Sequence, residues 1–236
     1  MGALAPLGIM RIMAAHTDRR SAPGPSVTRA DVLDSALSLF AERGYHGTSL
    51  KHVAERLEIR TPSLYNHMES KSALLTEIVL STLGKVVSDF DQVVAEVHEP
   101  VERLQRATEV YALHHATHPR EALVVNQDSV HLDEPDRTTV QRIRREHERA
   151  FRQIIIDGER TGDFVVETPK LASFAIREMC VSIARWFHEG GELTAGDVAR
   201  QYSNYALEMV GVQILPSARR STARERAMTT ITNTDR

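Results

Sequence analysis

Cysteine is almost absent: Cys180 is the single one in 236 residues. It has no intrachain partner, which excludes a disulfide framework and makes a reducing compartment, the cytoplasm, the natural setting. Long apolar runs are missing as well. No stretch approaches the roughly 18–20 residues that a membrane-crossing helix needs, and the apolar start MGALAPLGIM lacks the basic region of a signal peptide. No membrane association and no export are therefore expected. The chain also has no G-x-S-x-G elbow, Walker loop, H-E-x-x-H or dinucleotide glycine motif. No catalytic residue and no cofactor are expected, with a scattered triad as the one enzymatic alternative. Charge of one sign is scarce too. Residues 1–80 hold nine Lys/Arg against eight Asp/Glu, leaving −4 on the remainder and −3 overall. A polyanion bound by the N-terminal part must be met by a few placed cations, not by a broad basic field.

What is present is helical periodicity, organised around residues 48–71, TSLKHVAERLEIRTPSLYNHMESK. Thr48 or Ser49 serves as an N-cap, and Leu50, Val53, Ala54 and Leu57 form one apolar stripe. Glu58 and Ile59 make a turn, then Thr61-Pro62 supplies a cap followed by proline at the start of a second short helix, about 62–68. This is a helix-turn-helix. Its second helix is too short to stand alone in water, and its small polar N-terminal side chains suit a DNA major groove. The pattern Thr48-Ser49-Leu50, Val53-Ala54, Ile59, Ser63-Leu64-Tyr65, His67, Ser70-Lys71, Leu74 resembles the DNA-binding domain of the TetR/AcrR family of bacterial repressors. Arg60, Pro62 and Met68 depart from that family's usual residues. The resemblance implies that Thr61 and Ser63 read bases and that Tyr65, His67, Thr48 and Lys71 lie at phosphates, with Arg60 and Pro62 on the same rim.

The rest of the chain reads as helix throughout, giving an all-α fold. Four regions are expected: an arm at 1–27, the helix-turn-helix domain at 28–75, a ligand-binding and dimerisation domain at 76–215 and a tail at 216–236. A capping box from Thr28 to Asp31 opens the first helix and Gly44 closes it. Ser70 caps a long helix running from 71 to about 99, which Pro100 stops. Further helices are expected at about 101–117, 120–131, 136–161, 169–189 and 194–214, with Gly162, Gly190 and Gly191 as C-caps. The Arg/Glu-rich face of the 136–161 helix reads as solvated.

The last two helices carry apolar residues in two directions, so one face needs a partner. The run Val181-Ser182, Arg185-Trp186-Phe187, Gly190-Gly191, Leu193-Thr194-Ala195, Val198, Gln201-Tyr202 resembles actinobacterial repressors of sterol and fatty-acid catabolism that sense CoA thioesters. That resemblance implies a homodimer formed through Trp186, Tyr202, Tyr205 and Met209, and a small-molecule effector of acyl-CoA type that releases the DNA. Another hydrophobic ligand, such as a drug or antibiotic, and a DNA binder without ligand are the alternatives. Arg177 stands in a largely apolar helix, where an unpaired guanidinium is costly. It is expected to meet an anionic ligand group or, alternatively, an internal acid such as Asp128. Tyr111, His115 and Asn126 complete the polar end of the expected site, and Val181 stands where the resembling repressors carry an aromatic. His114 and His118 have the i, i+4 spacing of metal ligands, but no Cys or carboxylate cluster accompanies them, and no metal is expected.

Overall fold

The computed structural model describes residues 27–213, and all regular elements among them are helical. They are α1 (Arg29–Gly47), α2 (Leu50–Arg56), α3 (Thr61–Leu64), α4 (Lys71–Ala95), α5 (Pro100–Thr117), α6 (Pro119–Asp128), α7 (Asp136–Thr161), α8 (Pro169–Trp186) and α9 (Ala195–Met209). None of the described helices is long and apolar enough to cross a membrane. The expected arm at 1–27 lies outside the described residues except for Val27, which packs half-buried against the core, and the tail at 216–236 lies wholly outside them.

Local chemistry sets the helix starts. Thr28 and Asp31 form the expected capping box of α1, and Thr194 and Asp197 form another at α9. Ser70 accepts the Ala73 N–H to open α4. Inside α1 the helix breaks at Gly44, which takes φ 73°, a region that a side chain would disfavour. Gly162 likewise caps α7 at φ 85°.

Several ends differ from expectation. The long helix stops at Ala95, and Pro100 begins α5 instead of ending α4. A first-turn proline costs no hydrogen bond, because the N–H it lacks would have had no intrahelical partner. The segment expected at 120–131 leaves the α form after Asp128 and finishes as a 3-10 turn at Ser129–His131. α8 ends at Trp186; Gly190 lies beyond it in a turn with φ 89°, and Gly191 has no positive φ. α9 ends at Met209, where the chain turns at Gly211 and the Val165 N–H bonds the Val210 carbonyl. α3 is capped by Arg60, not Thr61, and after Leu64 tightens into turns whose bonds span three residues, such as His67 N–H to Leu64 O at 2.8 Å.

Two apolar clusters hold the helices together. One joins Phe40, Leu64, Leu74 and Leu75 to Val124, Val125, Leu132 and Val140, so the core beneath α1–α3 continues into α6 and the start of α7. The other gathers Phe90, Leu104, Phe151, Ile154, Ile176 and Leu207 from α4, α5 and α7–α9. α4 contributes to both and runs between them. Because a four-residue helix has no stability of its own, α3 depends on Leu64, which is fully buried; truncation to alanine costs about 2–5 kcal/mol. Behind α7, Phe164 lies so close to Gly158 that a Cβ there would sit 2.2 Å from the ring.

Candidate functional site

The α2–α3 unit presents a narrow rim. Tyr65 is 58 % exposed, Arg60 and Pro62 are exposed, and Thr61, Ser63 and His67 are half-buried beside them. Asn66, not singled out in the sequence, stands exposed next to Tyr65 and adds an amide donor and acceptor. Arg29 at the start of α1 fixes the segment by donating to the His67 carbonyl while pairing with Glu77 of α4. Glu58, at φ 55°, makes the turn between α2 and α3.

Two expected phosphate contacts point inward instead. Thr48 is 2 % exposed, and its hydroxyl lies within bonding distance of the Leu39 and Gly44 carbonyls. Lys71 donates from Nζ to the Tyr45 and Thr48 carbonyls, each at 2.7 Å, and sits 4.0 Å from the centre of the Tyr45 ring. Burial holds its amine below the ordinary lysine value, with Asp128 opposing. Both residues brace the α1–α2 turn: Thr48 satisfies carbonyls near the end of α1, and Lys71 binds carbonyls within the turn.

That turn also meets α6. Asp128 Oδ1 accepts the Tyr45 N–H, the Tyr45 and His131 rings stack at 5.7 Å, and His46 and His131 share a hydrogen bond of 3.1 Å. Asp128 is thereby committed to the reading head.

Between α4, α5, α6, α7 and α8 lies a cavity of about 310 Å³. All five expected ligand residues line it: Tyr111, His115, Asn126, Arg177 and Val181. Among the described residues Arg177 has no ion pair, and its buried Nε has no hydrogen-bond partner; the guanidinium stands 5.8 Å from the centre of the Tyr111 ring. The internal acid considered for it, Asp128, is engaged elsewhere. Arg144, not singled out in the sequence, is a wall of the same cavity and donates at 3.0 Å to both the Val125 carbonyl and Asn126 Oδ1. A signal for this was available, since Arg144 falls on the helical stripe of Val140, His147 and Phe151.

Burial keeps the cavity histidines neutral. It pushes His114 down to about 4, with His115 and His118 adding to the effect, and His115 down to about 4 against the pull of its bond to the Tyr111 carbonyl. His147 is pushed down to about 3 by burial and by Arg177. Neither ring nitrogen of His114 nor Nε2 of His147 has a partner. The permanent positive charge of the cavity is therefore arginine. The rings of His114 and His118 stack in parallel at 4.9 Å, and among the described residues no group of three or more His, Cys, Asp or Glu is placed to hold a metal ion.

The third feature is an aromatic face on α8 and α9. Trp186, Tyr205 and Met209 are 46 %, 44 % and 47 % exposed. Trp186 stacks on the half-buried Tyr202 at 6.3 Å, which in turn lies 6.1 Å from Tyr205. Together these side chains leave large apolar surface open on one face of α8 and α9.

Known proteins share this arrangement. Residues 32–78 match the family described as bacterial regulatory proteins, tetR family, and residues 97–210 match the tetracyclin repressor-like C-terminal domain. The HTH-type transcriptional repressor KstR2 of Rhodococcus jostii (strain RHA1) is 30% identical over 189 residues, which cover 78% of this chain and 92% of that protein. The structure of the ketosteroid transcriptional regulator KstR2 of Mycobacterium tuberculosis superposes with a TM-score of 0.75 at 24% identity, over 82% of this chain and all of that one. The structure of AibR in complex with isovaleryl coenzyme A and operator DNA gives 0.67 at 21% identity, over 77% and 97%. With a helix-turn-helix at its N-terminal end, an all-helical second part and these relatives, the chain belongs to the TetR family of bacterial transcriptional regulators.

Proposed function

We propose that the protein is a cytoplasmic homodimeric repressor that holds a pseudo-palindromic operator and is released from it by a CoA thioester, with no catalytic step. In this reading the exposed rim of Arg60, Thr61, Pro62, Ser63, Tyr65 and His67 enters the major groove, with Thr61 and Ser63 at base edges and Tyr65 and His67 at phosphates. Residues 28–75 form the reading unit, and 76–215 bind the effector and the second subunit. Two heads set about 34–36 Å apart by the aromatic α8–α9 face would meet one face of the duplex.

The observation that carries the effector assignment is the unpaired Arg177. Glu148 and Glu178 also line the cavity, but neither pairs with Arg177 among the described residues. A guanidinium left without an ion pair on a cavity wall is a receptor for a carboxylate, phosphate or polarised carbonyl, and Tyr111, His115 and Asn126 add neutral hydrogen-bonding groups around it. At about 310 Å³ the cavity is near the lower end for ligand pockets. The acyl part with its carbonyl fits inside, and the charged nucleotide stays outside, past Arg144 and Arg145. The isovaleryl coenzyme A held by AibR is a ligand of the same chemistry.

The test is release of bound operator DNA by a panel of acyl-CoAs, the matching free acids and CoA alone. The reading expects at least one thioester to release DNA where CoA alone does not. Release by none of the thioesters overturns it.

A further inference from the structure

A second hollow lies beside the cavity along the seam between α4 and α7. Val87, Ile143 and His147 line both spaces, so the two adjoin. Beyond His147 the seam is bounded by Gly84 on α4 and Ala150 on α7, with Asp91 and Glu146 exposed at its mouth.

Gly84 is the informative residue. It lies in the middle of a 25-residue helix, where glycine is less stable than alanine. Its conformation is not among those needing positive φ, and a Cβ there would meet no atom within 4 Å. Nothing in the protein itself requires a missing side chain at 84. Gly84 is exposed and lines only the outer hollow, and there the glycine keeps the floor of the seam flat. His147, buried and with Nε2 unpartnered, stands at the junction as the last polar group before walls made by Val87, Ile143, Gly84 and Ala150.

We infer that the α4–α7 seam is the channel for the uncharged hydrocarbon end of the effector, which passes His147 and runs out over Gly84. Apolar walls favour an alkyl or ring-fused carbon skeleton, and the carboxylate of Asp91 disfavours an anionic end at this exit, where Glu146 is paired with Arg142 at 2.9 Å. The charged portion is left to the arginine side of the cavity. This rests on the effector reading above and adds a prediction about shape: a chain longer than the cavity is tolerated because it has a way out.

The probes are cis-parinaric acid, a fluorescent long-chain fatty acid, and saturated acyl-CoAs from C4 to C16 that compete with it. Wild type and Gly84→Ala should bind the long chains alike, Gly84→Ala with a raised melting temperature. Gly84→Phe fills the seam and should weaken long-chain binding by about tenfold or more while leaving C4 and C6 unchanged. Gly84→Leu, which fills less of the space, should shift the tolerated length in the same direction and decides the matter if the phenylalanine variant does not fold. An unchanged chain-length profile in the bulky variants, or no long-chain binding by wild type, overturns the channel. Long-chain binding without release of DNA would count against the effector reading alone.

Discussion

The carboxylate of Asp128 accepts the backbone N–H of Tyr45 at 3.2 Å, fastening the last residue of α6 to the turn that leads into the reading head. Two and three residues earlier, Arg144 holds Asn126 and the Val125 carbonyl from the cavity wall. α6 is thus held at the cavity and at the head by neighbouring residues. Asp128→Ala leaves a turn N–H unpaired and should cost about 1–3 kcal/mol in urea unfolding, with weaker DNA binding. Asp128→Asn keeps an acceptor and should lose less; equal losses would show that the bond itself matters little.

Lys71 tests the bracing role against a phosphate contact. Lys71→Met strands the carbonyls of Tyr45 and Thr48, and stability should fall by roughly 1–3 kcal/mol. The slope of log K for DNA against log salt should not change. A slope reduced by about 0.9 would mean that the ammonium reaches a phosphate after all.

Acid should destabilise the fold through its buried histidines. His114, His115 and His147 titrate near 4, 4 and 3 when folded and near 6.5 when unfolded. Their folded values are lowered, so below about pH 6.5 the unfolded chain binds protons that the folded chain refuses, and stability is lost as pH falls towards 4. With all three contributing, the slope approaches roughly 4 kcal/mol per pH unit. Burial is the main cause, and the Arg177 guanidinium adds to it at His115 and His147. Thermal unfolding between pH 7 and 5 should show it, and His147→Gln should flatten the acid limb.

The aromatic face predicts an oligomeric state. Wild type should sediment as a dimer at micromolar concentration, and Trp186→Arg or Tyr205→Asp should weaken it by on the order of 2 kcal/mol each, about 30-fold in Kd. Operator affinity should fall in parallel. A wild-type monomer at that concentration would refute the assignment.

Much of this was legible in the sequence because its signals are local. The Thr28–Asp31 capping box, the ends of α7 and the left-handed Gly162 follow from side chains within a few residues. Tyr111, His115 and Asn126 stand out as polar groups on largely apolar helices, while Arg177 and Val181 rest also on the resemblance to CoA-sensing repressors, and all five line one cavity. What was not legible depends on tertiary direction. Thr48 and Lys71 have the residue types that bind phosphate, and only the position of Gly44–Tyr45 shows that carbonyls of the same turn claim them. Arg144 does not stand out because charged residues surround it in sequence, although it lies on the inward stripe. Pro100 and Gly191 signal a helix boundary without saying which side of it they serve.

Arg177 is the most direct test of the effector assignment. Calorimetric titration of wild type and Arg177→Met with the thioester that releases DNA should show affinity falling by about tenfold or more, as expected when a charge-assisted bond is removed. Operator binding without effector should be unchanged, because the residue lies away from the reading head. Equal thioester affinity in the two proteins, with the variant fully folded, would contradict the account.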